Sequence, residues 1–204
     1  MKIDKYELTK KNKYNIFLSN GEVITVDERV ITENELLLKK EIDINLYNKV
    51  IRESRIYELV DIAIKYISIR LRSIKEIKDY LKKKEEDTDL IEVSINKLTK
   101  LGYLDDERFT KAFIKDKMNF TSMGDYKIKM ELYNLGVSPE LIEENISLID
   151  NEQLEEKMKK QIEKDIRTNK KYIGYALKNK IYNHLVSAGF SKEKVLAVIN
   201  KYDF

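Results

Sequence analysis

Two stretches of this chain repeat each other without a gap. "KIKMELYNLGVSPELIEENI" from Lys127 and "KIYNHLVSAGFSKEKVLAVI" from Lys180 both begin Lys-Ile. Each then places Leu four residues after that Ile, Gly four further on, and next an apolar residue and Ser, at an offset of 53 residues. A repeat of this length constrains the fold, because each unit must bury its apolar face on its neighbours.

The match has a mechanism. Gly136 and Gly189 fall where a left-handed residue closes a helix at little steric cost. Ser138 and Ser191 then stand as caps of the next helix, Pro139 takes its first position, and Val137 with Ile142 and Phe190 with Val195 occupy staple positions. A weaker third copy lies upstream, where "EIKDYLKKKEEDTDLIEVSI" sets Ile77, Leu81, Asp87, Ile91 and Ile95 against Ile128, Leu132, Ser138, Ile142 and Ile146, with Glu85 in place of the glycine. With the helix that precedes each pair, this predicts three units of three helices, over residues 51–102, 103–149 and 150–204. The period exceeds the 34 residues of a tetratricopeptide repeat and the roughly 40–47 of armadillo or HEAT repeats. The expected fold is mainly α, an elongated curved solenoid with an extended surface for a long partner.

Residues 1–50 read differently. "KYELTK", "YNIFLS" and "EVITV" are short and rich in β-branched and aromatic residues, and Asn20-Gly21 between the last two favours a hairpin turn. This predicts a three-stranded β-meander, which needs a helix to cover one face. From Asp27, a plausible cap, "DERVITENELLLKK" returns to helical spacing through Val30, Ile31 and Leu38. In "SRIYELVDIAIKYISIRLRS" the residues Ile56, Leu59, Val60, Ala63, Ile64, Ile67 and Leu71 follow the helical apolar rule, predicting one long amphipathic helix.

"LGYLDDERFTKAFI", residues 101–114, is the densest stretch. Gly102 closes one helix, Asp105 caps the next with Asp106 and Glu107 in its positive first turn, and Leu104 and Phe109 take staple positions. Paired acids can also act as general acid and base or hold magnesium, but no phosphate loop or histidine accompanies them. Arg108 is the residue this capping account leaves over, either a surface helix former or an interface contact.

The rest of the sequence removes function classes. Without cysteine there are no disulfides or thiolate sites, and with His184 as the single histidine no His-His metal site can form. His184 is expected on a helix surface. "NGEV" and "FTSMGDY" are not phosphate-cradling loops, and Ser19 and Ser122 lack a base at catalytic spacing. No catalytic residue, metal or cofactor is expected. "MKIDKYELTK" lacks the apolar core of a signal peptide, and no apolar run suggests a membrane span. The expectation is a cytoplasmic, monomeric, non-enzymatic protein with no membrane partner. The 39 basic against 36 acidic residues give only +3, so the chain is no bulk polycation.

"LGYLDDERFTKAFI" followed by "GDYKIKMELYNLGV" resembles the RecX family of bacterial regulatory proteins. "IRLRSIKEIKDYL" adds to the likeness through Arg70, Ser73, Glu76 and Ile77, and the resemblance covers residues 51–204. It implies tandem three-helix repeats. It also implies a partner, the RecA recombinase filament on single-stranded DNA, whose strand exchange, ATP hydrolysis and co-protease activity RecX proteins restrain in homologous recombination, DNA repair and the SOS response.

Such a partner directs attention to basic faces. Arg70, Arg72, Lys75, Lys78 and Lys82, joined by Arg108, Lys111 and Lys115, form one candidate face; Lys160, Lys164, Arg167, Lys170 and Lys171 form a second. Runs of this kind are also common as solvated helix faces. Glu76, Asp79, Glu163 and Asp165 interrupt both, which argues against strong independent affinity for DNA. Direct binding of single- or double-stranded nucleic acid is the alternative, and a helical scaffold for another protein a third. Charge reversal at Arg72 and Lys75 is expected to weaken filament binding without unfolding the chain.

Overall fold

The computed structural model describes residues 1–204. Three antiparallel strands in the order β1-β2-β3, β1 (Ile3–Leu8), β2 (Lys13–Leu18) and β3 (Val23–Asp27), open the chain. Ten helices follow: α1 (Glu28–Glu33), α2 (Ile44–Ile67), α3 (Ile74–Leu81), α4 (Thr88–Lys100), α5 (Asp106–Phe120), α6 (Asp125–Asn134), α7 (Pro139–Ser147), α8 (Asn151–Thr168), α9 (Gly174–Ser187) and α10 (Lys192–Ile199). The chain forms two compact units, Met1–Arg72 with Glu76–Leu104, and Ser73–Lys75 with Asp105–Phe204.

In the first unit the meander forms as expected, with Gly21 in the left-handed region at the hairpin. Ile16 faces Ile24 and Tyr14 faces Val26 across β2 and β3. One sheet face buries Ile16, Leu18, Ile24 and Val26 against Val30, Ile31, Leu36, Val50 and Tyr57. Asp27 ends β3 and caps α1 through the Arg29 N–H. The Arg29 guanidinium bridges Asp27 at 2.8 Å and Asp61 on α2 at 2.7 Å, and lies over the Tyr57 ring.

Two boundaries depart from the sequence expectation. The segment after Asp27 is not one helix: α1 stops at Glu33, Glu35 turns left-handed, and a short 3-10 turn, Leu36–Leu38, follows with Leu38 exposed. The long helix starts ten residues earlier than the quoted stretch, because Asp43 caps it through the Leu46 N–H, and it ends at Ile67, before Arg70 and Leu71.

The second unit carries the repeat. Its equivalent positions are core throughout: Ile128 and Ile181, Leu132 and Leu185, Val137 and Phe190, Ile142 and Val195 are all buried. Met118 and Ile149 pack against both clusters and join them. Gly136 and Gly189 close α6 and α9 at φ of 80° and 91°. The N–H of the residue after each glycine reaches back to Leu132 or Leu185, the double bond pattern of a Schellman end. Ser138 and Ser191 cap α7 and α10.

The helix ends are also spliced to one another. The backbone N–H of Gly124, before α6, donates to the Ala188 carbonyl at 2.9 Å, and Tyr126 and Lys127 donate to Gly189. At the aligned position one repeat earlier, the Ser73 hydroxyl donates to Leu135, and Lys75 Nζ donates to Asn134 at 2.9 Å. The orphan carbonyls of one helix end thus find donors at the start of another helix.

Candidate partner-binding groove

The capping stretch explains how α5 is held. Leu104 and Phe109 are buried, and Asp105 accepts the Arg108 N–H at 2.9 Å. Asp106 does more than stand in a first turn: its Oδ1 accepts the N–H of Ile74, the first residue of α3, at 2.9 Å. Burial pushes this carboxyl above its ordinary range; the Ile74 N–H opposes that shift and the neighbouring Asp105 charge adds to it. Glu107 pairs with Lys111. The acids are therefore engaged in backbone capping and an intrahelical pair, and no group of three or more metal-ligating side chains assembles anywhere in the chain.

The first basic face is largely paired within the chain. Arg70 and Arg72 both reach Glu76. The Arg72 side chain is only 10% exposed and its guanidinium lies 3.9 Å from the Tyr66 ring centre, which in turn stacks on Tyr80. Lys78 pairs with Glu92, Lys82 lies near Asp79, and Lys75 caps Asn134. Reversing charge at Arg72 or Lys75 breaks these internal contacts, so neither is a clean probe of a partner. Arg108 is exposed, at the start of α5.

Four of the other predicted cations come together. Lys111 and Lys115 on α5 line one cavity, with Ile114, Met118, Asn119, Asn145, Leu148, Ile149, Asp150 and Gln153. Lys160 and Lys164 on α8 line a second with Phe120, Glu156, Lys157 and Gln161. The two cavities share Met118, Asn119 and Gln153, so they form one groove along α5 and α8. Helical spacing produces the rows, since residues four apart share a helix face. The groove wall is fixed by Lys157, whose Nζ caps the carbonyls of Lys117 at 2.9 Å and Met123 at 2.7 Å. Burial lowers the Lys157 pKa. Sequence reading passed over Lys157 because nothing local distinguishes it from its exposed neighbours.

The last three cations stand apart from this groove. Arg167 donates to the Glu163 carbonyl, Lys171 sits over the Tyr172 ring, and Lys170 is exposed after α8 ends. His184 is half exposed, as expected of a helix surface, and its Nδ1 meets the buried Asp165 carboxylate at 2.6 Å.

The regulatory protein RecX of Halalkalibacterium halodurans is 33% identical over 195 residues, spanning 93% of this chain and 73% of that protein. This chain belongs to the RecX family. The RecX regulatory protein of Finegoldia magna is 32% identical over 203 residues, spanning 98% of this chain and 95% of the relative. Residues 60–98 match the model of the first RecX three-helix domain and residues 105–144 that of the second. A crystal structure of a regulatory protein RecX overlays 98% of the chain with a TM-score of 0.86 at 23% identity, which shows the shared fold. The crystal structure of RecX from Lactobacillus salivarius overlays 72% with a TM-score of 0.67 at 27% identity. The RecX resemblance, the three-helix repeats and the N-terminal sheet expected from sequence all hold. No helix is long and apolar enough to cross a membrane.

Proposed function

We propose that this chain is a non-enzymatic, cytoplasmic regulator that binds the RecA filament on single-stranded DNA and restrains its recombinase, ATPase and co-protease activities. The observation that carries this reading is the near full-length similarity to proteins named regulatory protein RecX. The groove between α5 and α8 is consistent with it, because lysines on two helices face one channel. Repeated weak contacts along a filament gain by avidity, so no single strong site is required. The proposed division is an N-terminal module, residues 1–50, and units over 51–102, 103–149 and 150–204; the caps Asp105 and Asp150 support the later boundaries, whereas the first falls inside α2, whose cap is Asp43.

Binding of this chain to RecA-coated and to bare single-stranded DNA, at low and moderate salt, tests the reading. Preferential binding to the coated strand, kept in part as salt rises, supports it. Equal binding to both that collapses with salt would instead indicate direct phosphate contact.

A further inference from the structure

We propose that the groove between α5 and α8 docks a short acidic segment of protein that carries one large apolar side chain. The inference goes beyond recombinase regulation and does not rest on it.

The two halves of the groove differ in chemistry. The half beside α7 has a volume of about 470 Å³, in the range of small ligand sites, with Ile114, Met118 and Ile149 among its lining residues. Leu148, 72% exposed, stands at its rim. A leucine, methionine or phenylalanine side chain would occupy part of this half and displace water from Ile114, Met118 and Ile149. The adjoining half is basic.

Charge selects the rest of the occupant. Lys115 and Lys164 have no carboxylate partner, and Lys160 has only Glu156 at 3.8 Å, with both side chains largely exposed. The other acid of the groove, Asp150, is engaged in capping α8 through the Glu152 N–H. Three lysines therefore face the groove from two sides with little internal neutralisation, an arrangement that favours an anionic partner and speeds its encounter. A nucleic acid would satisfy the lysines but not the apolar side chains Ile114, Met118, Leu148 and Ile149 that stand beside Lys115 in the α7 half. Bases stack on aromatic faces, and the single aromatic residue lining the groove, Phe120, belongs to the other half. Arginine, the fork that grips phosphate in two places, is absent from the lining.

Fluorescence anisotropy with the full chain tests the proposal. The probes are a short labelled peptide with a central leucine among glutamates, the same peptide with serine for leucine, and a labelled oligothymidylate. Expected is binding of the leucine peptide about tenfold tighter than the serine peptide, the order of one well-filled apolar contact. The double variant Lys115→Glu, Lys164→Glu should lose the leucine peptide while keeping the wild-type thermal transition; Lys115→Ala with Lys164→Ala serves if the double reversal does not fold. Indifference to the central leucine, unchanged binding by the variants, or binding of oligothymidylate alone would each overturn the proposal. No recombinase is present, so a failed titration leaves the filament reading standing.

Discussion

The Ser73 hydroxyl, fully buried, donates a 2.7 Å hydrogen bond to the Leu135 carbonyl, 62 residues away in sequence. It supplies one of the last carbonyls of α6 with a donor that the helix itself cannot provide. Ser73→Ala takes this donor from a half-buried carbonyl and should cost about 1 kcal/mol. Urea unfolding of the variant measures it, and a loss below a few tenths of a kcal/mol would mean that water replaces the hydroxyl.

Gly124 holds the equivalent place one repeat later, where its N–H meets Ala188 and an added Cβ would collide with the Gly189 carbonyl. Gly124→Ala forces backbone apart at a splice between helix ends. The expected cost is about 1–3 kcal/mol, the range for overpacking. A thermal transition equal to wild type would show that the two helix ends separate freely.

Asp106 gives a pH dependence. Its folded-state pKa lies above that of the unfolded chain, so the native state holds the proton more tightly. The stability linked to this group is complete below the unfolded pKa and is lost as pH rises through the folded one. Asp106→Asn keeps an oxygen to accept the Ile74 N–H and removes the buried charge. Its stability relative to wild type should therefore improve as pH rises above about 4, the ordinary aspartate value. Thermal melts across that rise report the difference, and a constant difference would exclude a titrating Asp106.

Asp105 and Phe109 separate cap from core. Asp105→Ala should cost about 1 kcal/mol, the worth of an N-cap, while Phe109→Ala should cost about 3–5 kcal/mol because the ring is 3% exposed inside the α5–α7 core. An Asp105→Ala chain that folds with wild-type stability but loses all filament binding would overturn the capping account.

Much of this was legible in the sequence, for a physical reason. Glycine at positive φ, a serine cap and an apolar pair around each helix end are local requirements, so Gly136, Ser138, Gly189 and Ser191 announce their own geometry. Buried repeat positions such as Ile128 and Ile181 follow from helical periodicity alone. The start of α2 is less legible, because its cap Asp43 stands well upstream of the regular apolar period that begins at Ile56. Contacts between distant backbone atoms left no trace: nothing in Ser73, Asp106 or Lys157 names Leu135, Ile74 or Met123 as its partner. The basic faces were read as charge on helices, and only the fold separates Arg72, stacked on Tyr66, from Lys115 and Lys164, which face the groove.

The most direct test of the central claim is ATP hydrolysis by the cognate RecA on single-stranded DNA, titrated with this chain at two salt concentrations alongside binding to bare DNA. Inhibition well below the concentration that coats bare DNA, persisting in part at the higher salt, is expected. Unchanged hydrolysis at concentrations that saturate bare DNA would contradict that claim.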